Sequence, residues 1–142
     1  MVPVDGRRSS TVAEEYVVSL GAKAPVDSVV VLTVVDTKEL DGHGIDPGLK
    51  ESVLATKKKF SEKALSDSID FFRNSSVEAE RRLLVGDPAK LICRTAEEEE
   101  CDLIVIAESS GGELREWFIG STTKSVLYQS AVPVVLVKRP RE

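Results

Sequence analysis

The sequence predicts an α/β fold of the doubly wound class, and three features carry that prediction. Short apolar runs alternate with longer amphipathic stretches along the whole chain. Two of the runs, Val29–Val35 and Leu103–Ala107, are almost entirely apolar and rich in β-branched residues, the mark of strands covered on both faces. Gly86-Asp87-Pro88 is a helix start, with the acid as cap and the proline in the first helical position. The order β-α-β-α-β-α-β-α-β builds a five-stranded parallel sheet with right-handed crossovers and helices on both faces. At 142 residues, 42% hydrophobic and 30% charged, the chain is one ordinary domain, residues 1–142, able to bury a core.

Met1–Val4 is a first apolar strand that stops at Asp5-Gly6. Ser9-Ser10 caps a helix to about Leu20 with Val12, Tyr16, Val17 and Leu20 on one face, and Gly21 closes it. Val29–Val35 is the second strand. Residues 36–49 hold three glycines and a proline and are expected to be loop. A helix of about Lys50–Phe72 follows, with Val53, Phe60, Ala64, Leu65, Ile69 and Phe72 as candidate buried positions, and Lys57-Lys58-Lys59 on a solvated face. Val77–Val85 has the alternation of an edge strand. The helix begun at Pro88 runs into Glu97–Glu100, four solvated acids. Leu103–Ala107 is the fourth strand, and a polar, glycine-containing loop leads to a helix over about Ser121–Ser130. Val132–Val137 is the last strand, and Lys138–Glu142 a charged tail.

The charge of −5, without a Lys/Arg-rich run, argues against holding nucleic acid through its phosphates. The longest apolar run falls far short of the ~20 residues of a membrane span, so no direct membrane insertion is expected. No export signal opens the chain, which reads as cytoplasmic. Cys93, Cys101 and the single His43 do not make a zinc ligand set. The cysteines are expected as core or near-core thiols rather than a disulfide. No Ser/His/Asp or Cys/His set is present, so any hydrolytic activity is expected to be slow and electrostatic.

Several separate segments point to one family. They are Val2-Pro3-Val4-Asp5-Gly6, Leu32-Thr33-Val34-Val35-Asp36, and Gly86-Asp87-Pro88-Ala89 with Ala96-Glu97-Glu98. Cys101-Asp102-Leu103-Ile104-Val105-Ile106, and Gly120-Ser121 leading to Val132-Pro133-Val134-Val135-Leu136-Val137, complete the set. Over essentially its whole length the chain resembles the universal stress proteins. The resemblance implies an adenine nucleotide alpha hydrolase-like fold with strand order 3-2-1-4-5. It also implies a regulatory domain that binds ATP or AMP (Mg²⁺ accompanying ATP), and a homodimer paired through the last strand, Val132–Val137.

Carried over residue by residue, the resemblance assigns the adenine to the Asp5 carboxylate and the backbone around Val34, including Val4. Pro3 and Ile106 line that pocket. Ala107, Ser109, Ser110, Gly120, Ser121, Thr122 and Thr123 form the phosphate half, and Lys124, Arg7 and Arg8 add charge nearby. Free N–H groups and the dipole at the start of the last helix make an anion seat there.

This half departs from the family pattern. Nucleotide-binding members carry Gly-x-x-Gly, nine residues, then Gly-Ser/Thr; here those glycine positions hold Ala107, Ser110 and Gly120, followed by Ser121. Ala and Ser add a Cβ beside the phosphates, and Glu108 and Glu113 add negative charge, so binding is expected to be weak. Thr33 also stands where His is commoner. Relatives place several residues before the first strand, whereas this sequence opens on it at Met1, so that strand is either truncated or begins upstream.

Each feature has a plainer reading. Asp5-Gly6 ends a strand in a tight turn, Ser121 caps its helix, Gly111-Gly112 is a loop, Arg7 and Arg8 are solvated, and Trp117 and Phe118 pack a short helical turn. Two further functions stay open. One is a nucleotide-free dimeric stress or signalling module, and the other a cytosolic regulatory domain associated with a membrane transporter. Flavodoxin-like and electron-transfer-flavoprotein-like domains share the topology, but their flavin loops are not recognisable here.

Overall fold

The structure, a computed structural model, describes residues 1–6, 8–108 and 119–138. Its elements are β1 (Val2–Pro3), α1 (Arg8–Gly21), β2 (Val29–Asp36), α2 (Pro47–Asn74), β3 (Ala79–Gly86), α3 (Pro88–Glu98), β4 (Ile104–Ala107), α4 (Ser121–Gln129) and β5 (Val134–Val137). All strand pairs are parallel. β1 pairs with β2 at Val2↔Val31 and Pro3↔Leu32, β2 pairs with β3 from Val29↔Ala79 to Asp36↔Gly86, and β4 pairs with β5 from Ile104↔Val134 to Ala107↔Val137. Met1 joins the two ladders: its nitrogen donates to Leu103 O at 2.7 Å and its carbonyl accepts from Val105 N at 2.9 Å. The ladders β3-β2-β1 and β4-β5 thus match the two parts of the expected order 3-2-1-4-5, with the Met1 bonds, rather than a strand ladder, linking them.

The sheet has a core on each face. Val2, Val4, Val29, Val31 and Val105 meet Ala13 and Val17 of α1 and Leu65 and Phe72 of α2. Met1, Leu32 and Ile104 meet Ala89, Ile92, Cys93 and Ala96 of α3 and Val126 of α4. Cys93 is buried and Cys101 half-buried, both free thiols. No helix among the described residues is long and apolar enough to cross a membrane.

Several expectations are corrected. Tyr16 is exposed, and α1 instead buries Ser10, Ala13, Glu14 and Val17. Small residues on that stripe let the helix approach the sheet closely. Asp46 caps α2 by accepting from Leu49 N at 3.1 Å, with Pro47 in the first turn. The helix therefore starts three residues before Lys50, on the same Asp-Pro signature that opens α3. Lys38–Leu40 is a short 3₁₀ turn inside the expected loop.

At 28 residues α2 spans about 42 Å, against roughly 27 Å for its eight-residue neighbours β2 and β3. Its first half outruns the sheet. Phe60, a candidate buried residue, is accordingly 58% exposed, and burial is confined to Ser61–Phe72. Lys57 is not merely solvated: its ammonium donates to Asp36 O and to Glu39 Oε2, both at 3.2 Å.

Glu14 lies between α1 and α2, 5% exposed, and accepts a short hydrogen bond from the Ser68 hydroxyl. Burial pushes its pKa above the ordinary 4.5, opposed by the Ser68 bond and aided by Glu15 and Asp67. Because the folded-state pKa is the higher one, stability is favoured below about 4.5 and declines as pH rises through the folded value. Glu14→Gln keeps an acceptor for Ser68 and removes the charge. It is expected to be more stable than the parent at pH 7 by on the order of 1 kcal/mol. The advantage should vanish as pH falls towards 4, which paired thermal melts across that range will read. A constant difference would mean that Glu14 is not the titrating group.

Candidate functional site

The site begins where β1 runs out. Val4 N still donates to Leu32 O at 2.8 Å, and the buried Thr33 hydroxyl donates to Val4 O at 2.8 Å, so the end of the strand is held on β2. The chain then turns away through Asp5 and Gly6. Asp5 N donates to Ser10 Oγ at 3.2 Å, and Ser10 Oγ donates to Asp5 Oδ1 at 3.0 Å, which ties this turn to the first turn of α1. Strand groups alternate sides with a period of two. Since the Leu32 carbonyl faces β1, the N–H and C=O of Val34 face the same way, into the space that β1 has vacated.

Gly6 makes the turn feasible. Its φ is +75°, and a Cβ there would lie 2.9 Å from Phe60 Cε1 and 3.1 Å from Ala64 Cβ. The exposed ring of Phe60 can shift, so the conformation dominates the cost. Gly6→Ala is expected to destabilise by about 1–2 kcal/mol, read as a lower urea midpoint with an unchanged slope.

A cavity of about 480 Å³ opens at this point, outside the carboxyl ends of the strands. Pro3, Val4, Asp5 and Ser10 form one wall, and Leu32, Val34 and Asp36 of β2 another. Ile106 and Ala107 of β4, Pro88 and Ile92 of α3, and Gly120–Thr123 at the start of α4 complete it. The volume falls within the range of small-molecule sites.

Of the residues singled out from the sequence, Pro3, Val4, Asp5, Val34, Ile106, Ala107, Gly120, Ser121, Thr122 and Thr123 thus come together around one space. Ser109 and Ser110 lie outside the described residues, as do Arg7, Gly111, Gly112, Glu113, Trp117, Phe118 and the tail from Arg139. Lys124 is exposed and absent from the lining, and His43 lies in an exposed loop. Sequence reasoning missed Ser10, Leu32, Asp36, Pro88 and Ile92. Asp36 and Pro88 carried a usable signal, because each stands at a strand end or helix start facing the same rim.

Gly120, not Ser121, is the N-cap of α4, and among the described residues no side chain caps that helix. Its first N–H groups have no intrahelical partner. The start of α3 differs. Asp87 accepts from Lys90 N at 3.1 Å, and that bond, reinforced by Lys38 at 3.4 Å, holds its pKa below the ordinary carboxylate value. Among the described residues no three His, Cys, Asp or Glu gather to hold a metal ion.

A doubly wound parallel sheet with a cavity at the carboxyl ends of β1, β2 and β4, facing a helix N-terminus, is the arrangement in which open α/β domains place small ligands. The model of the universal stress protein family matches residues 1–138, and the chain belongs to that family. It is 26% identical to universal stress protein MJ0577 of Methanocaldococcus jannaschii over 98% of this chain and 93% of that protein. The solved structure of MJ0577 superposes with a TM-score of 0.76, at 25% identity, covering 99% of this chain and 95% of the other. UspA from Lactobacillus plantarum has the same fold with a TM-score of 0.78, at 22% identity over 96% and 94% of the two chains. A universal stress protein from Archaeoglobus fulgidus, solved in complex with dAMP, superposes with a TM-score of 0.62, at 21% identity over 96% and 94%.

Proposed function

We propose that the cavity binds an adenine nucleotide and that the protein is a regulatory binding module rather than a turnover catalyst. The observation that carries this reading is the pairing of an apolar slot with two polar ends. Pro3, Val34, Ile92 and Ile106 offer apolar surface to the faces of a flat ring. At one end the Asp5 carboxylate accepts from an exocyclic amino group, while the Val34 N–H and C=O match the adjoining acceptor and donor of adenine. At the other end the N–H groups of residues 121–123 receive a phosphate. Support comes from fold neighbours that are complexes with nucleotides: the dAMP complex above, a protein from Arabidopsis thaliana with AMP bound, and a complex with cAMP.

Binding is weakened, in this reading, by Ala107 and Ser110 in place of glycine and by the acids of the same loop. Mg²⁺, where present, arrives on the phosphates of ATP. The free thiols of Cys93 and Cys101 suit a cytoplasmic setting. A homodimer forms through β5, which pairs with β4 on one side and whose apolar residues would otherwise leave an unpaired edge.

Calorimetric titration of the purified protein with ATP and Mg²⁺ and with AMP tests the reading, preceded by mass spectrometry for copurified nucleotide. Saturable binding, or nucleotide that copurifies, supports it. Neither, up to millimolar ligand, would replace it with a nucleotide-free dimeric module.

A further inference from the structure

Resting on the adenine-nucleotide reading, we infer that the overhanging half of α2 braces the site. Lys57 and Phe60 are its positioning residues, holding the two rim segments that carry Asp36 and Asp5. From Ser61 onward α2 is anchored on the sheet, with Ala64, Leu65 and Phe72 buried. The half before it lies at the carboxyl end of β2, on the side of the sheet where the cavity opens.

Lys57 and Phe60 stand three residues apart and so share a face of the helix. The half-buried Lys57 ammonium donates to Asp36 O and to Glu39 Oε2, both at 3.2 Å, which fastens the last residue of β2 and the turn beyond it. Phe60 meets the other rim segment. The position that a Cβ on Gly6 would take lies 2.9 Å from Phe60 Cε1 and 3.2 Å from its Cζ. The edge of the ring therefore lies against the residue that follows Asp5. Glycine has no side chain to anchor it, so the place of this turn depends on what packs against its backbone.

Neither residue belongs to either core. Phe60 is 58% exposed, and Lys57 pairs with an exposed glutamate. Their contacts instead converge on the adenine half of the site. Asp5 must meet the exocyclic amino group, and Val34, two residues before Asp36 on the same strand, must meet the ring edge. A rim free to move is competent to bind only part of the time, and the apparent affinity falls by that fraction.

The experiment titrates adenosine and AMP into the parent protein, Lys57→Met and Phe60→Ala, with a thermal melt of each. Each variant is expected to bind both ligands about three- to tenfold more weakly, by one factor for the two, with a melting temperature within about 3 °C of the parent. Phe60→Leu, which refills the space beside Gly6, should recover most of the loss. The Asp5 amide, which donates to Ser10 Oγ, should exchange its hydrogen about threefold faster in unliganded Phe60→Ala. Unchanged affinity in both variants would overturn the brace and leave the adenine site standing. A loss in Lys57→Met confined to AMP would also overturn it, making Lys57 a charge that acts on the phosphate. So would a loss matched by a large fall in melting temperature. If neither ligand binds the parent protein, the nucleotide reading falls, and the Asp5 exchange rate alone decides the brace.

Discussion

Replacing Asp5 with alanine is expected to weaken adenine-nucleotide binding by about 10- to 100-fold, with the fold and the oligomeric state unchanged. A hydrogen bond to a charged acceptor contributes about 1.5–3 kcal/mol, and its loss here leaves the amino group of the base facing an apolar wall. Asp5 is exposed at a strand end and outside both cores, so its removal leaves the apolar packing intact. Titration of the variant beside its thermal melt separates the two effects. Unchanged affinity would remove Asp5 from the site and leave it as the closing residue of a turn. A fall in affinity accompanied by a large loss of melting temperature would indict the turn rather than the carboxylate contact.

Phe72→Ala is expected to be the most damaging of the substitutions for stability, at about 3–5 kcal/mol. The side chain is fully buried in the core between α2 and the sheet and meets Phe71 edge-on, with ring centroids 5.5 Å apart. Its backbone carbonyl also accepts from Val77 N at 2.9 Å, closing the turn into β3. Neighbouring strands cannot collapse into the space left behind, because they are held in register by the β2–β3 ladder. For a chain of this length the loss corresponds to a melting temperature lower by about 10–15 °C. Phe72→Leu should restore most of it. A loss below about 1 kcal/mol for the alanine variant would show that the core there is loosely packed.

The contrast between Phe72 and Phe60 indicates how far the fold was legible beforehand. Both lie on the same helix and both were read as buried from helical periodicity. Periodicity assigns a face, but it does not say where the sheet ends beneath the helix. Phe72 lies over the strands and Phe60 beyond them. Tyr16 failed for a related reason, since the contact stripe on α1 uses the polar Ser10 and Glu14 and the small Ala13, which carry little apolar signal. Asp46-Pro47 was legible in principle, being the same pair read correctly at Asp87-Pro88, but the glycine-rich stretch before it drew the boundary too late.

The sequence by itself determined the strand and helix order and the doubly wound class, because these follow from local composition: β-branched runs, capping acids and turn glycines; the residues of the rim came from the family resemblance. Tertiary structure alone decided that Asp36, Pro88 and Ile92 join Asp5 and Thr123 around one space, and that Glu14 is buried beside Ser68. It also decided that α4 starts at Gly120 with no side-chain cap among the described residues. These are relations between groups far apart in the chain, set by register, crossover handedness and helix length against strand length. No local pattern encodes them, since burial and charge pairing depend on what the rest of the fold brings alongside.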